Sequence, residues 1–171
     1  MTDGQVLLAG QGQLIETAGM TLKVGAAQSQ RWSAFEATVP PGFDVGAHVH
    51  GEAEEIFYVL DGELDLLALH PHDPAVPDWS GWRSADGNTP VRGGPGAFMF
   101  VPAGCPHAFA NRGMSVARML FLVSPAGHEH YLSELGALLR QAPDQEAIAA
   151  LRSRHDIRQL TPLVPGGARR P

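Results

Sequence analysis

Gly42-Phe-Asp-Val-Gly-Ala-His48-Val-His50-Gly-Glu-Ala-Glu54-Glu55-Ile-Phe-Tyr-Val-Leu-Asp-Gly62 and Gly96-Ala-Phe-Met-Phe-Val-Pro102-Ala-Gly104-Cys-Pro-His107-Ala-Phe-Ala-Asn111 are the stretches that decide the fold. His48 and His50 stand two residues apart, and a β-strand turns such a pair to one side of its sheet. Both imidazoles can then share one ion. Glu55 heads the run Ile56 to Leu60, whose β-branched and aromatic residues predict a strand up to a turn at Asp61-Gly62. If that strand pairs antiparallel with the histidine strand, its carboxylate faces the imidazoles. The second stretch is built alike: Phe98 to Val101 reads as a strand, Pro102-Ala-Gly104 as a turn, and His107 opens another strand with Phe109 on its face. His48, His50, Glu55 and His107 would hold one divalent ion and leave coordination positions open, as a catalytic rather than a structural site requires. The two-residue period also sends Phe57 and Val59 to the ligand side. Phe57 then either walls the pocket or packs as an ordinary core residue, and Phe109 is its counterpart on the other strand.

A His-x-His pair alone says little here, because the eight histidines include three such pairs: His48/His50, His70/His72 and His128/His130. Only the first has a glycine six residues before it, a glutamate five residues after it, and a distant Pro-x-Gly-x-x-His partner. The two stretches resemble the motifs of the cupin superfamily, G-x5-H-x-H-x4-E-x6-G and G-x5-P-x-G-x2-H-x3-N, with every specified position filled. Outside the motifs the resemblance is to small single-domain cupins of the quercetin-dioxygenase-like group, in which a Ser-Pro-Ala-Gly segment such as Ser124 to Gly127 follows the last strand. It implies an all-β fold, a double-stranded β-helix or jelly-roll barrel, with two C-terminal α-helices packed outside. It also implies a homodimer paired through the sheets.

Bulk properties agree with one domain. A chain of 171 residues can bury an apolar core without staples. The 20 glycines and 14 prolines suit a protein of strands and tight turns. A formal charge of −6, with no basic stripe, excludes a nucleic-acid surface. No apolar run approaches the ~18 residues of a membrane span, and the first basic residue is Lys23, so neither a span nor a secretory leader is expected. The expectation is a cytoplasmic protein. Cys105 is the single cysteine, so no intramolecular disulfide forms. It is either a small buried residue in a turn or, beside His107, a fifth ligand or redox thiol.

The chain divides into edge strands and loops over 1–30, the barrel over 31–125, helices over 126–160 and a frayed tail over 161–171. Arg31 to Val39 alternates as a strand, with Trp32, Ala34, Glu36 and Thr38 on one face and Ser33, Phe35, Ala37 and Val39 on the other. Glu63 to Leu69 is expected to return antiparallel after the Gly62 turn. His70 to Arg92, rich in Pro, Gly, Asp and Ser, is an excursion whose Trp79 and Trp82 close the cavity mouth, contact another subunit or pin the loop to the barrel. Val116 to Val123 reads as the last strand, with Arg118 either facing the cavity or exposed at an edge. His128 to Arg140 carries apolar residues at helical spacing, and a second helix starts near Pro143 and ends near Arg154. His128 and His130 then point apart and make poor co-ligands.

Three neutral imidazoles and one carboxylate leave a divalent ion with a net single positive charge. Such a site attracts an anionic, bidentate oxygen ligand such as an enolate or catecholate. The resemblance therefore implies a dioxygenase acting with dioxygen on a small enolic or phenolic, flavonol-like molecule, with Glu55 as general base. Two alternatives stand beside it. One is a redox-neutral isomerase or aromatic polyketide cyclase, and the other a non-catalytic small-molecule-binding barrel. Iron, manganese, nickel, copper, cobalt and zinc all accept this ligand set.

Overall fold

A computed structural model of the chain describes residues 3–16 and 19–166. Its elements are β1 (Gln13–Ile15), β2 (Met20–Val24), β3 (Ser33–Val39), β4 (His48–Val49), β5 (Glu54–Asp61), β6 (Leu64–Ala68), a 3-10 turn (Trp79–Gly81), β7 (Val91–Gly93), β8 (Phe98–Val101), β9 (His107–Ala110), β10 (Ala117–Ser124), α1 (His128–Leu139), α2 (Gln145–Arg154) and β11 (Arg158–Gln159). The strands form two antiparallel sheets, ordered β1-β2-β3-β10-β5-β8 and β11-β4-β9-β6-β7. This is the jelly-roll arrangement with two helices that the sequence predicts. Among the described residues no helix is long and apolar enough to cross a membrane.

Alternation along β5 decides the inner face of the first sheet. Glu55, Phe57 and Val59 are buried, whereas Tyr58 and Leu60 are partly exposed. Registry carries that choice to the neighbouring strands, since Phe57 pairs with Phe121 and Phe121 with Phe35. The three rings form one stacked row across β5, β10 and β3, with centroids 4.8 and 5.5 Å apart. Each such contact contributes about 0.5–1.5 kcal/mol beyond area burial. The inward set of β3 is therefore Ser33, Phe35, Ala37 and Val39, all buried.

Three expectations about connectivity are corrected. β5 does not pair with β4: its neighbours are β10 and β8, while β4 lies between β9 and β11 in the other sheet. β6 does not return beside β5 but crosses to the second sheet, where it pairs with β9 and β7. Gly62 makes that crossing, at φ +73°, and a Cβ there would sit 2.9 Å from the Ala117 Cα. A left-handed L-residue alone costs roughly 1–2 kcal/mol, so both backbone and space demand glycine at this corner. Nor is β10 the last strand or an edge. It is the centre of the first sheet, and β11 follows both helices. Arg118 points outward from it and pairs with Glu36.

The 70–92 excursion covers the outer face of the second sheet. Trp79 and Trp82 are buried there against Ala47, Leu67, Leu69, Ala108 and Ala110. Trp79 donates to Asp44 Oδ1 at 2.8 Å, and Trp82 to the Val76 carbonyl at 2.8 Å. Of the readings open for these tryptophans, the structure shows the one in which they pin the loop to the barrel. The tail reading is corrected over 161–166. Thr161 is buried and its Oγ1 accepts from the Ala47 amide at 2.8 Å, while Val164 exchanges backbone hydrogen bonds with Asp44 at 2.9 and 2.8 Å. Residues 167–171 lie outside the described residues.

Candidate metal centre

His48 and His107 are opposite each other on β4 and β9, and the extended chain after β4 brings His50 to the same side. Glu55 enters from the first sheet across the interior. His48, His50, Glu55 and His107 each offer a ligand atom, and these atoms all lie within 4.8 Å of one another. His50 and Glu55 are almost wholly buried and His107 completely so, while His48 borders the cavity. Among the described residues this is the single cluster of its kind. His70 and His72 are exposed and take no part, nor do His128, His130 or Cys105.

Backbone carbonyls settle which nitrogen of each ring faces inward. His48 Nδ1 lies 2.9 Å from the Gly46 carbonyl, His50 Nδ1 3.1 Å from that of Asp156, and His107 Nδ1 3.1 Å from that of Cys105. A carbonyl can only accept, so Nδ1 carries the proton in all three rings. Nε2 is then left with its lone pair, as metal ligation requires. His50 Nε2 stands 3.2 Å from Glu55 Oε1, and His107 Nε2 2.6 Å from Glu55 Oε2. Even so, His50 Nε2, His107 Nε2 and Glu55 Oε2 are sealed from solvent with no aligned hydrogen-bond partner. Lone pairs facing a buried carboxylate repel unless a cation stands among them. The four residues therefore fit one divalent ion, whose identity the donor set leaves open.

Burial works to raise the Glu55 pKa, but the adjoining His107 and His50 imidazoles, when protonated, outweigh it and hold the carboxyl well below its usual range. Burial and then the neighbouring His107 push the His48 imidazole well below its usual value. For His50 burial acts downward, and the Glu55 carboxylate beside it overrides this, so the ring is raised.

A cavity of about 280 Å³ opens beside the cluster, between the barrel interior and the helices. Phe57 and Phe109 line it, as the strand period predicts, with Phe43, Phe121, Leu132 and Leu135. Sequence reasoning missed what the C-terminal third contributes. His128 lines the cavity, its ring 6.1 Å from that of His50. Burial lowers its pKa to about 4, so it is neutral near pH 7. Asp156 supplies the carbonyl that orients His50, from a left-handed conformation at φ +56° just after α2. An aspartate following a helix end is the one local sign of such a turn. Cys105 is buried in the turn before His107, and burial raises its thiol pKa.

A family model described as Cupin matches residues 11–152. Among solved structures the chain is similar to an RmlC-like cupin from Shewanella frigidimarina NCIMB 400, at 16% identity over 75% of this chain and 96% of that one, with a TM-score of 0.54. It is also similar to BH2720 from Bacillus halodurans, at 15% identity over 66% and 74% of the two chains and a TM-score of 0.50. TT1209 from Thermus thermophilus shares 23% identity over 66% of this chain and 89% of its own, with a TM-score of 0.47. Identities this low speak for the fold alone. No curated protein sequence matches the chain significantly.

His50→Ala and His107→Ala should each abolish stoichiometric metal loading, read by inductively coupled plasma mass spectrometry, while circular dichroism keeps the strand signal. Full loading in either variant would remove that residue from the ligand set. His128 gives a pH test. The unfolded chain takes up its proton near pH 6.5 and the folded protein near pH 4, so stability falls as pH drops through that window. Relative to His128→Phe, the wild type should lose about 2–3 kcal/mol between pH 7 and pH 4, measured as the change in urea-unfolding free energy. Parallel curves for the two proteins would contradict the buried neutral imidazole.

Proposed function

Because the chain belongs to the cupin family, we propose that it is a metal-dependent enzyme whose substrate is a small, partly aromatic molecule chelating through two oxygens, with dioxygenation as the leading reaction. The observation that carries this reading is the convergence of three lone-pair-bearing imidazoles and one buried carboxylate at the wall of an apolar cavity. When bound, a redox-active ion supplies electron transfer between chelated substrate and dioxygen and acidifies the substrate hydroxyl, whereas a redox-inert ion supplies Lewis acidity alone. The protein's own residues do the rest. His48, His50 and His107 hold the ion's place in a fixed tautomer. Phe57 and Phe109 flank the reacting end and exclude water. Glu55, ionised at neutral pH, accepts the hydroxyl proton. The likeness to quercetin-dioxygenase-like cupins lies in the motifs and in Ser124 to Gly127.

A second reading, redox-neutral isomerisation or cyclisation, draws on a separate observation. His128 and Glu55 line the same cavity, and both are proton acceptors near pH 7. A proton shift along a substrate needs two such groups. The first experiment is metal identity and stoichiometry by mass spectrometry on untagged protein purified without chelator. Oxygen uptake with flavonols and enolisable diketones follows, beside proton–deuterium exchange of the same compounds by NMR. About one iron, manganese, nickel, copper or cobalt per chain with oxygen consumption is the expected result. Exchange without oxygen uptake would replace it by the second reading, and binding with neither would leave a small-molecule-binding barrel.

We also propose a homodimer formed through the outer face of the first sheet. Phe98, Phe100, Tyr58 and Leu60 are 60, 48, 40 and 39% exposed. Phe98 pairs with Tyr58 across β8 and β5, Phe100 with Ile56, and β8 is an edge strand. A patch of this kind continuing to an open edge suits a second copy of the chain, which can cover the rings and pair the edge. Sedimentation velocity should show a dimer for the wild type and a monomer for Phe100→Glu; a dimer unchanged by the substitution would exclude this face.

A further inference from the structure

Among the described residues, the cavity beside the candidate metal centre has one arginine, and it forms no ion pair. Arg152, in the last turn of α2, lines that cavity together with His48 and Glu55. Its Nε is sealed from solvent and has no hydrogen-bond partner. Among the described arginines only Arg152 and Arg112 are withdrawn from the surface. Arg112 has Asp44, Asp65 and Asp78 within 3.4, 3.1 and 3.6 Å. Arg154, two residues on, pairs with Glu134 at 3.1 Å. Arg152 has no carboxylate within ion-pair reach among the described residues. A guanidinium N–H taken from water and left unpaired costs free energy unless a ligand completes it.

The other polar groups on the cavity wall do not serve that need. The Gln159 side-chain amide already donates to the Val45, Ala47 and Thr161 carbonyls. His48 and Glu55 belong to the metal set. His128 and Tyr131 are the other polar residues of the wall and carry no fixed charge near pH 7, and the rest is aromatic and aliphatic, including Phe43, Phe121, Leu135 and Leu139. The volume of about 280 Å³ lies at the lower end of ligand pockets, which run about 300–1,000 Å³. It suits a body of one or two rings.

We propose that Arg152 is the specificity-determining residue of the site, and that the substrate is a small apolar acid: a chelating pair of oxygens at one end and a carboxylate at the other, held by the Arg152 guanidinium. This rests on the metal-enzyme reading for the chelating end only. A lone guanidinium in an apolar wall matches a planar carboxylate, which takes two parallel N–H donors side-on. A phosphate, with more charge, would call for a second cation, and among the described residues lining the wall Arg152 is the one lysine or arginine.

Isothermal titration calorimetry on the metal-loaded protein tests this with three probes: the catechol acid caffeate, its uncharged amide, and the matching catechol phosphonate. The wild type should bind caffeate at least roughly tenfold more tightly than the amide. In Arg152→Gln that preference should vanish, with amide affinity and metal content unchanged. Arg152→Lys, which keeps the charge and loses the fork, should retain part of it and guards against a folding defect in the first variant. An acid preference surviving in Arg152→Gln, or none in the wild type, would overturn the proposal. Tighter, Arg152-dependent binding of the phosphonate would overturn the carboxylate in favour of a phosphate-bearing substrate. His107→Ala separates the two readings. Weaker binding of both caffeate and amide with their ratio kept supports carboxylate recognition independently of the metal, and a ratio lost along with the metal overturns it.

Discussion

A carboxylate cannot be buried in an apolar barrel without positive charge or donors to meet it, and most of this structure can be read from how Glu55 is met. No backbone amide among the described residues donates to it. Its company is imidazole, delivered from the opposite sheet by β4, by the extended chain after it, and by β9. The two sheets must therefore approach with the registry that puts His48 against His107 and Val123 against Glu55. A one-residue slip in β5 would turn Glu55 outward and Glu54 inward, together with every aromatic of the core row. Metal site and hydrophobic core thus specify the same registry.

How much of this was legible in the sequence depends on the range of the interaction. The four residues that gather in the candidate site were legible, because residue types at fixed spacing carry them. The inward placing of Phe57 and Phe109 followed from the two-residue period. Strand neighbours were not legible. β5 was expected beside the histidine strand, whereas hydrogen bonding joins it to β10, more than fifty residues on. Nothing local distinguishes an edge from a centre, so neither reading of Arg118, at the cavity or at an edge, met its place on the outer face of a central strand. Trp79 and Trp82 could have served three roles, and only their contacts with Asp44, Val76 and the small residues of β9 choose among them.

The C-terminal third was the least legible part of the site. β11 is two residues long, too short for any periodicity, and the stretch 161–166 looks like a tail by composition. Its order comes from paired hydrogen bonds to Ala47 and to Asp44. His128, Arg152 and Asp156 matter through contacts with residues far away in sequence. The two sheets also handle their outer faces differently. The second is sealed by its own loop around two tryptophans, while the first keeps Phe98 and Phe100 in the open.

The hydrogen bond between His50 and the Asp156 carbonyl spans 106 residues. All four metal-binding side chains have left the ribosome once His107 has emerged, yet the group that sets the His50 tautomer is still unmade. A nascent chain therefore carries its full complement of ligand residues for nearly fifty further rounds of elongation before the pocket can be assembled. The carbonyl that fixes the His50 tautomer joins the site only once α2 has been made.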